Sequence, residues 1–169
     1  LSIHKLPVPV IARVQGMATA AGCQLVAQCD LAVAADNASF ATSGIHYGLF
    51  CATPSVPLVR NLPAKQAMEM LLTGQFISAE QAQAGGLVNR VVPPTEVNGY
   101  AQAQARKLAA KPLSSLIETK RLMKAGQAAL VQKQMNDEAA SFGRMLTEPA
   151  AKEAFGAFME KRKPDFSQL

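Results

Sequence analysis

The sequence predicts an α/β fold, and three observations carry that prediction. Val8, Val10, Ile11 and Val14 form a short apolar run that ends before Gly16. A helical stretch over 21–28 and a second apolar run at 31–35 (LAVAA) follow it. Strand, helix, strand at this spacing is a βαβ-like unit with parallel pairing and a crossover. From Pro54 onward the punctuation is that of successive helices.

Each element has a local reason. Pro9 belongs at the start or edge of the first strand, because it cannot donate to a ladder. Gly16 makes a tight turn, and the helix over 21–28 opens on Ala-Ala-Gly. A helix start leaves backbone N–H groups without partners and carries the positive end of the helix dipole. A strand that delivers the chain there makes a site for an anion, or for an oxygen that becomes one during a reaction. Asp36 and Asn37 end the second strand, and residues 39–42 read as another short one. Residues 43–53 (SGIHYGLFCAT) form a loop of the kind that carries function when a rigid scaffold places it.

The helical part is punctuated by proline and glycine. Pro63 opens a helix that runs to Leu72 and closes at Gly74. Ser78 and Gln81 form a capping box for a short helix ending at Gly85-Gly86. A strand over 87–92 stops at Pro93-Pro94. Helices are then expected over 96–110, 113–124, 128–145 and 149–161. In the third of these, Leu130, Met135, Ala139, Phe142 and Met145 form a stripe suited to a core or a subunit interface. The expected division is 1–94, strand-bearing, and 95–169, helical.

Composition narrows the function classes. The 169 residues suit one domain; 49% are hydrophobic and only 17% charged, which favours buried strands and close helix packing. The net charge is +5, yet no basic run is interleaved with aromatics, which argues against nucleic-acid binding. Lys120, Arg121, Lys124 and the Lys161-Arg162-Lys163 group read mostly as solvated helix faces. A diffuse positive bias suits a ligand carrying phosphates. Cys23, Cys29 and Cys51 show neither a disulfide framework nor metal-ligand spacing, so a reducing compartment and no metal are expected. No apolar run reaches membrane-spanning length, and none reads as a signal peptide. The chain opens Leu-Ser-Ile-His-Lys and enters a strand almost at once, so it is expected to be the C-terminal part of a longer protein.

The pattern P-V-I-A-x-V-x-G, small residues, G-C-x-L, then C-D-L-A-V-A resembles the crotonase family, the enoyl-CoA hydratases and isomerases. The block AMEMLLTGQFISAEQAQAGGLVNRVVP and the C-terminal FGAFMEKRKPDF resemble later parts of that family, in order. Within it, SFATSGIHYGLFCATP is most similar to the enoyl-CoA hydratase domain-containing group. The resemblance implies a ββα spiral followed by a C-terminal helical trimerisation region, with the N-terminal part of the spiral absent. It implies an acyl-CoA thioester as ligand, coenzyme A arriving with the substrate, no tightly bound cofactor, and a homotrimer or dimer of trimers without nucleic-acid or membrane partners. It implies a cytoplasmic location in a bacterium and the mitochondrial matrix in a eukaryote.

The same resemblance assigns site residues. The backbone N–H of Ala21 would be one of two donors to a thioester enolate oxygen, the other coming from a segment outside this sequence. Gln24 and Gly44 occupy the positions of the two hydratase glutamates, and Ala52 that of the dienoyl isomerase aspartate. Glutamine can hold a water but cannot carry a proton near neutral pH, and glycine does neither. General acid–base catalysis contributes about 10²–10⁴-fold, so standard hydration is not expected. His46 is either a replacement proton carrier or an ordinary loop histidine. Cys51 either faces the acyl pocket or packs, and Tyr47 and Thr53 are candidates to orient water. Phe158 and Lys161 match positions that contact the adenine and phosphates of coenzyme A; the other reading is an amphipathic helix with a lysine-rich end. An enzyme, a binding or regulatory protein, and a structural partner in a mixed oligomer all remain open.

Overall fold

Two small sheets, stacked along the chain rather than merged, organise the strand-bearing part of this computed structural model, which describes residues 2–167 and 169. After a short helix α1 (Ser2–Lys5) come β1 (Ile11–Val14), β2 (Met17–Thr19), α2 (Ala21–Gln28), β3 (Leu31–Ala35) and β4 (Ser39–Ala41). A 3₁₀ turn (Ser43–Tyr47) leads to α3 (Ala52–Leu58), α4 (Ala64–Thr73), β5 (Ile77–Ser78), α5 (Ala79–Gly85) and β6 (Arg90–Val92). The rest is helical: α6 (Val97–Ala109), α7 (Leu113–Ala125), α8 (Ala128–Met145) and α9 (Pro149–Met159).

The first sheet has the order β1-β3-β6, all parallel, with Ile11 opposite Leu31 and Val33 opposite Arg90. The second has β2 parallel to β4 and β4 antiparallel to β5. The expected parallel strand–helix–strand unit is therefore present. β3 lies between two neighbours and is apolar throughout, as a parallel strand buried on both faces must be. Its Ala32, Ala34 and Ala35, with Ala18, Ala38 and Ala41, are buried, so the helices can lie close to the sheets. Phe40, Leu58, Met70 and Val97 fill the larger spaces of the core. Val97 joins that cluster from α6, immediately past the expected division at 94.

Several elements differ from the sequence reading. The first strand begins at Ile11 rather than Val8, because Pro9 withholds a donor and the Val8 carbonyl is taken by Lys120. Residues 17–19 form a strand where only a turn was expected; three residues are too few to show a period. The loop 43–53 is half helical, and α3 starts at Ala52 rather than Pro54. Pro63 is the N-cap of α4 rather than its first residue, while Gly74 closes it left-handed at φ 65°. The strand expected over 87–92 is only Arg90–Val92, since Asn89 instead exchanges bonds with Ala32. α9 stops at Met159, short of Lys161, which lies at φ 56°. The Ser78–Gln81 capping box is present with both of its bonds.

The lysines of α7 are the largest correction. Lys120 is only 8% exposed; its Nζ lies 2.7 Å from Asp30 Oδ2 and also donates to the Val8 carbonyl at 2.8 Å. Lys124 Nζ lies 2.6 Å from Asp30 Oδ1, and the Val10 N–H donates to Oδ2 at 2.8 Å. Burial alone would raise the Asp30 carboxyl, but the two ammonium groups and the Val10 N–H outweigh it and hold it below the usual aspartate range. Only Arg121 of the three faces solvent, paired with Glu118. In α8 the expected stripe is not buried within the chain: Leu130 is 53% exposed and Val131 is the buried residue.

Breaking a buried pair leaves an uncompensated charge, so Lys120→Met and Asp30→Asn should each destabilise the fold by about 3 kcal/mol in urea titrations. A carboxyl held low stabilises the fold above its unfolded pKa and loses that contribution as pH falls through the folded value. Asp30→Asn should therefore flatten the acid limb of stability against pH, which the wild type should show.

Candidate active site

The start of α2 is presented by a strained residue. Ala20 sits at φ 45°, ψ −117°, a region that side-chain-bearing residues rarely enter. Its N–H bonds the Ala41 carbonyl at 3.1 Å, tying the turn to β4. The first bond of the helix runs from Gln24 N–H to the Ala20 carbonyl at 3.0 Å. The N–H groups of Ala21, Gly22 and Cys23 therefore precede the hydrogen-bonded ladder and find no acceptor among the described residues. Ala21 is exposed and Gln24 half-buried. The Gln24 side-chain amide is engaged by none of the described residues. Polar groups aimed outward at a helix start can hold an anionic oxygen.

Gly44 lies in the 3₁₀ turn after β4. Its N–H points at the Cys51 sulfur, 3.1 Å away. A Cβ at this position would fall 2.8 Å from the backbone carbonyl of Phe50. The turn is closed around the absence of a side chain. Cys51 is buried, and burial pushes its thiol up. Cys23, in the first turn of α2, is fully buried and pushed up to about 12 by burial and by neighbouring Cys51. Both thiols stay protonated and act as small packing groups between α2 and α3. Ala52 opens α3, and the side chain of Thr53 lies outside the described residues.

His46 is exposed, and its Nε2 lies 3.3 Å from the Gly74 carbonyl. That bond requires the proton on Nε2 and directs the ring to the end of α4. Gly74 is left-handed, and a Cβ on it would come 2.6 Å from this nitrogen. The buried Thr42 hydroxyl donates to the Met70 carbonyl at 2.7 Å and fastens the same helix to the turn.

α9 lies against the 3₁₀ turn of its own chain. Gly48, at φ 62°, approaches Ala150 so closely that a Cβ would be 2.4 Å from its carbonyl. Tyr47 and Phe158 meet edge to face with ring centres 6.5 Å apart. Phe158 keeps 64% of its surface exposed. The Lys161 ammonium engages none of the described residues. Of the sequence candidates, the fold thus draws together Gly44, His46, Tyr47, Cys51 and Phe158 around one turn. Two clefts, of about 380 and 620 Å³, lie elsewhere, the first at the C-terminal end of α2. Neither is lined by Ala21, Gln24 or Gly44. Among the described residues no group of three His, Cys, Asp or Glu could hold a metal, and no helix is long and apolar enough to cross a membrane.

A family model for enoyl-CoA hydratase/isomerase matches residues 1–169. The chain belongs to this family. It is 44% identical to the human mitochondrial enoyl-CoA hydratase domain-containing protein 3 over 178 residues, covering 99% of this chain and 55% of that protein. Among solved structures, an enoyl-CoA hydratase of Mycobacterium smegmatis is 47% identical with a TM-score of 0.73, over 98% of this chain and 64% of that one. An enoyl-CoA hydratase/isomerase from Pseudoalteromonas atlantica T6c reaches a TM-score of 0.91 at 28% identity, over 98% of this chain and 67% of that one. The α/β crotonase fold expected from the sequence is therefore shown. The chain spans about half the length of the curated relatives it matches.

Within this family segment, the backbone at positions 20 and 44 makes a direct test. Ala20→Gly should stabilise the protein by about 1 kcal/mol, because relief of a 1–3 kcal/mol strain exceeds the added chain entropy of glycine. Ala20→Val should destabilise it. Gly44→Ala forces a methyl against backbone and should cost about 1–3 kcal/mol. Urea unfolding of the three variants checks all of these signs.

Proposed function

We propose that this protein binds an acyl-CoA thioester and stabilises its enolate through backbone N–H groups, as an enoyl-CoA hydratase/isomerase-like protein that does not use two glutamates. The observation carrying this reading is the exposed start of α2, where the N–H groups of Ala21 and its neighbours, behind the strained Ala20, meet no acceptor among the described residues. Aimed donors at a developing oxyanion are worth roughly 3–4 kcal/mol each in acyl chemistry. The Ala21 N–H is one donor; the resemblance places the other outside this sequence.

Gln24 and Gly44 stand at the glutamate positions of that resemblance. The amide of Gln24 holds a water or a carbonyl without moving its proton. Gly44 has no space for a replacement side chain as the turn is packed. That packing favours a second reading, a crotonase-fold protein that binds acyl-CoA or regulates without turnover. His46 is assigned no proton transfer here, because Gly74 occupies its Nε2.

Phe158 and Lys161 supply an aromatic face and a cation to the adenine and phosphates of coenzyme A. Phe158 also meets Tyr47 of the same chain edge to face. We further propose a homotrimer or dimer of trimers, with Leu130 and the exposed side of α8 at subunit contacts. No tightly bound cofactor is required, since coenzyme A arrives with the substrate. The location proposed is the cytoplasm of a bacterium or the mitochondrial matrix of a eukaryote.

Calorimetry with a panel of saturated and unsaturated acyl-CoA thioesters should show binding. Phe158→Ala or Lys161→Ala should weaken it about three- to tenfold, the loss of one exposed cation or stacking contact. Turnover of any thioester supports the enzyme reading; binding without turnover selects the regulatory one. Absence of binding across the panel overturns both.

A further inference from the structure

Outside the site just described, one acidic group is buried without full satisfaction. Glu138, on α8, packs against α3. Its Oε1 accepts a hydrogen bond from the Ser55 hydroxyl. Its Oε2 is buried and has no hydrogen-bond partner among the described residues. One turn earlier on α8, Gln134 Oε1 accepts from Arg60 Nη2 at 2.5 Å, and Val131 is buried two turns before Glu138. α8 thus docks along α3 through one short row of residues. Only the three residues 146–148 separate it from α9, which lies on the 3₁₀ turn. The C-terminal arm is fastened at α3 and again at Gly48.

We propose that Glu138 is a protonation-dependent latch: its neutral form fastens α8 to α3, and its ionisation loosens the C-terminal arm. An ionised carboxylate with one buried, unpartnered oxygen is unfavourable, whereas the acid is tolerated. Burial pushes the Glu138 carboxyl up, and the Ser55 hydroxyl and the Arg60 guanidinium offset this only in part. Facing it are Ser55 on α3 and Arg60, two residues past the end of α3. On α8 itself, Lys133 and Asp137 pair with each other at the exposed surface.

The sign follows from linkage. A carboxyl whose docked value is raised above its undocked value favours docking below the undocked value. That advantage is lost as pH rises through the docked value. The docking equilibrium falls by up to tenfold for every pH unit in that window and is flat above it. This concerns the arm alone and holds whether or not a thioester is turned over.

Hydrogen exchange of the whole protein tests the latch, with α8 amides corrected for intrinsic rate and compared with those of α7. Wild-type α8 should lose protection as pH rises above the ordinary glutamate range, while Glu138→Gln should show no such slope. The same slope in both proteins, or none in the wild type, overturns the proposal. Carboxyl-detected NMR of the wild type needs no variant. Titration of Glu138 above the ordinary glutamate range supports the latch, and titration at or below it overturns the proposal.

Discussion

The rest of the structure depends on where Asp30 is held. Its carboxylate receives the Val10 N–H and the ammonium groups of Lys120 and Lys124. Its own N–H and that of Leu31 both reach back to the Val10 carbonyl. One residue thereby joins the entry to β1, the exit from α2, the start of β3 and the side of α7. The parallel register of β1 on β3 starts one residue away, at Ile11 opposite Leu31. A slip of one residue would turn every side chain of β3 to the wrong face. Two cations on one carboxylate overcome a desolvation penalty that a single exposed pair would not need to meet.

From that fixed register the chain must rise through β2 and turn sharply to begin α2. Ala20 absorbs the turn at a conformation better suited to glycine, and β4 holds it through the Ala41 carbonyl. The strain is local, and it leaves the start of α2 facing outward. In the turn after β4 and at the end of α4, Gly44 and Gly74 allow close approaches that a side chain would block. The polar chemistry of this region therefore resides mainly in backbone groups, with the Gln24 amide beside them engaged by none of the described residues.

How much of this the sequence reveals can be followed residue by residue. α2 and β3 fall where the pattern places them, because small and branched apolar residues leave few alternatives. The Ser78–Gln81 cap is equally legible, since its two bonds are local. β2 was invisible because pairing with β4, not its own three residues, makes it a strand. Lys120 looked like a solvated lysine because its partner lies 90 positions earlier. At the site, the sequence identified the turn holding Gly44, His46 and Cys51. It could not show that Gly74 takes the His46 ring, or that Phe158 comes back to Tyr47. Those contacts join residues far apart in the chain, and no period or spacing encodes them.

The packing around Gly44 bears on the chemistry more than its identity does. The Phe50 carbonyl and the Cys51 backbone nitrogen lie where a Cβ on Gly44 would fall. A new carboxylate there would require the turn to open, and the turn is pinned by α9 at Gly48 and by α4 through Thr42. Among the described residues, the polar groups at the start of α2 are its backbone donors and the Gln24 amide. The C-terminal arm shapes the same turn, so how firmly α8 and α9 are docked sets how rigid that arrangement is.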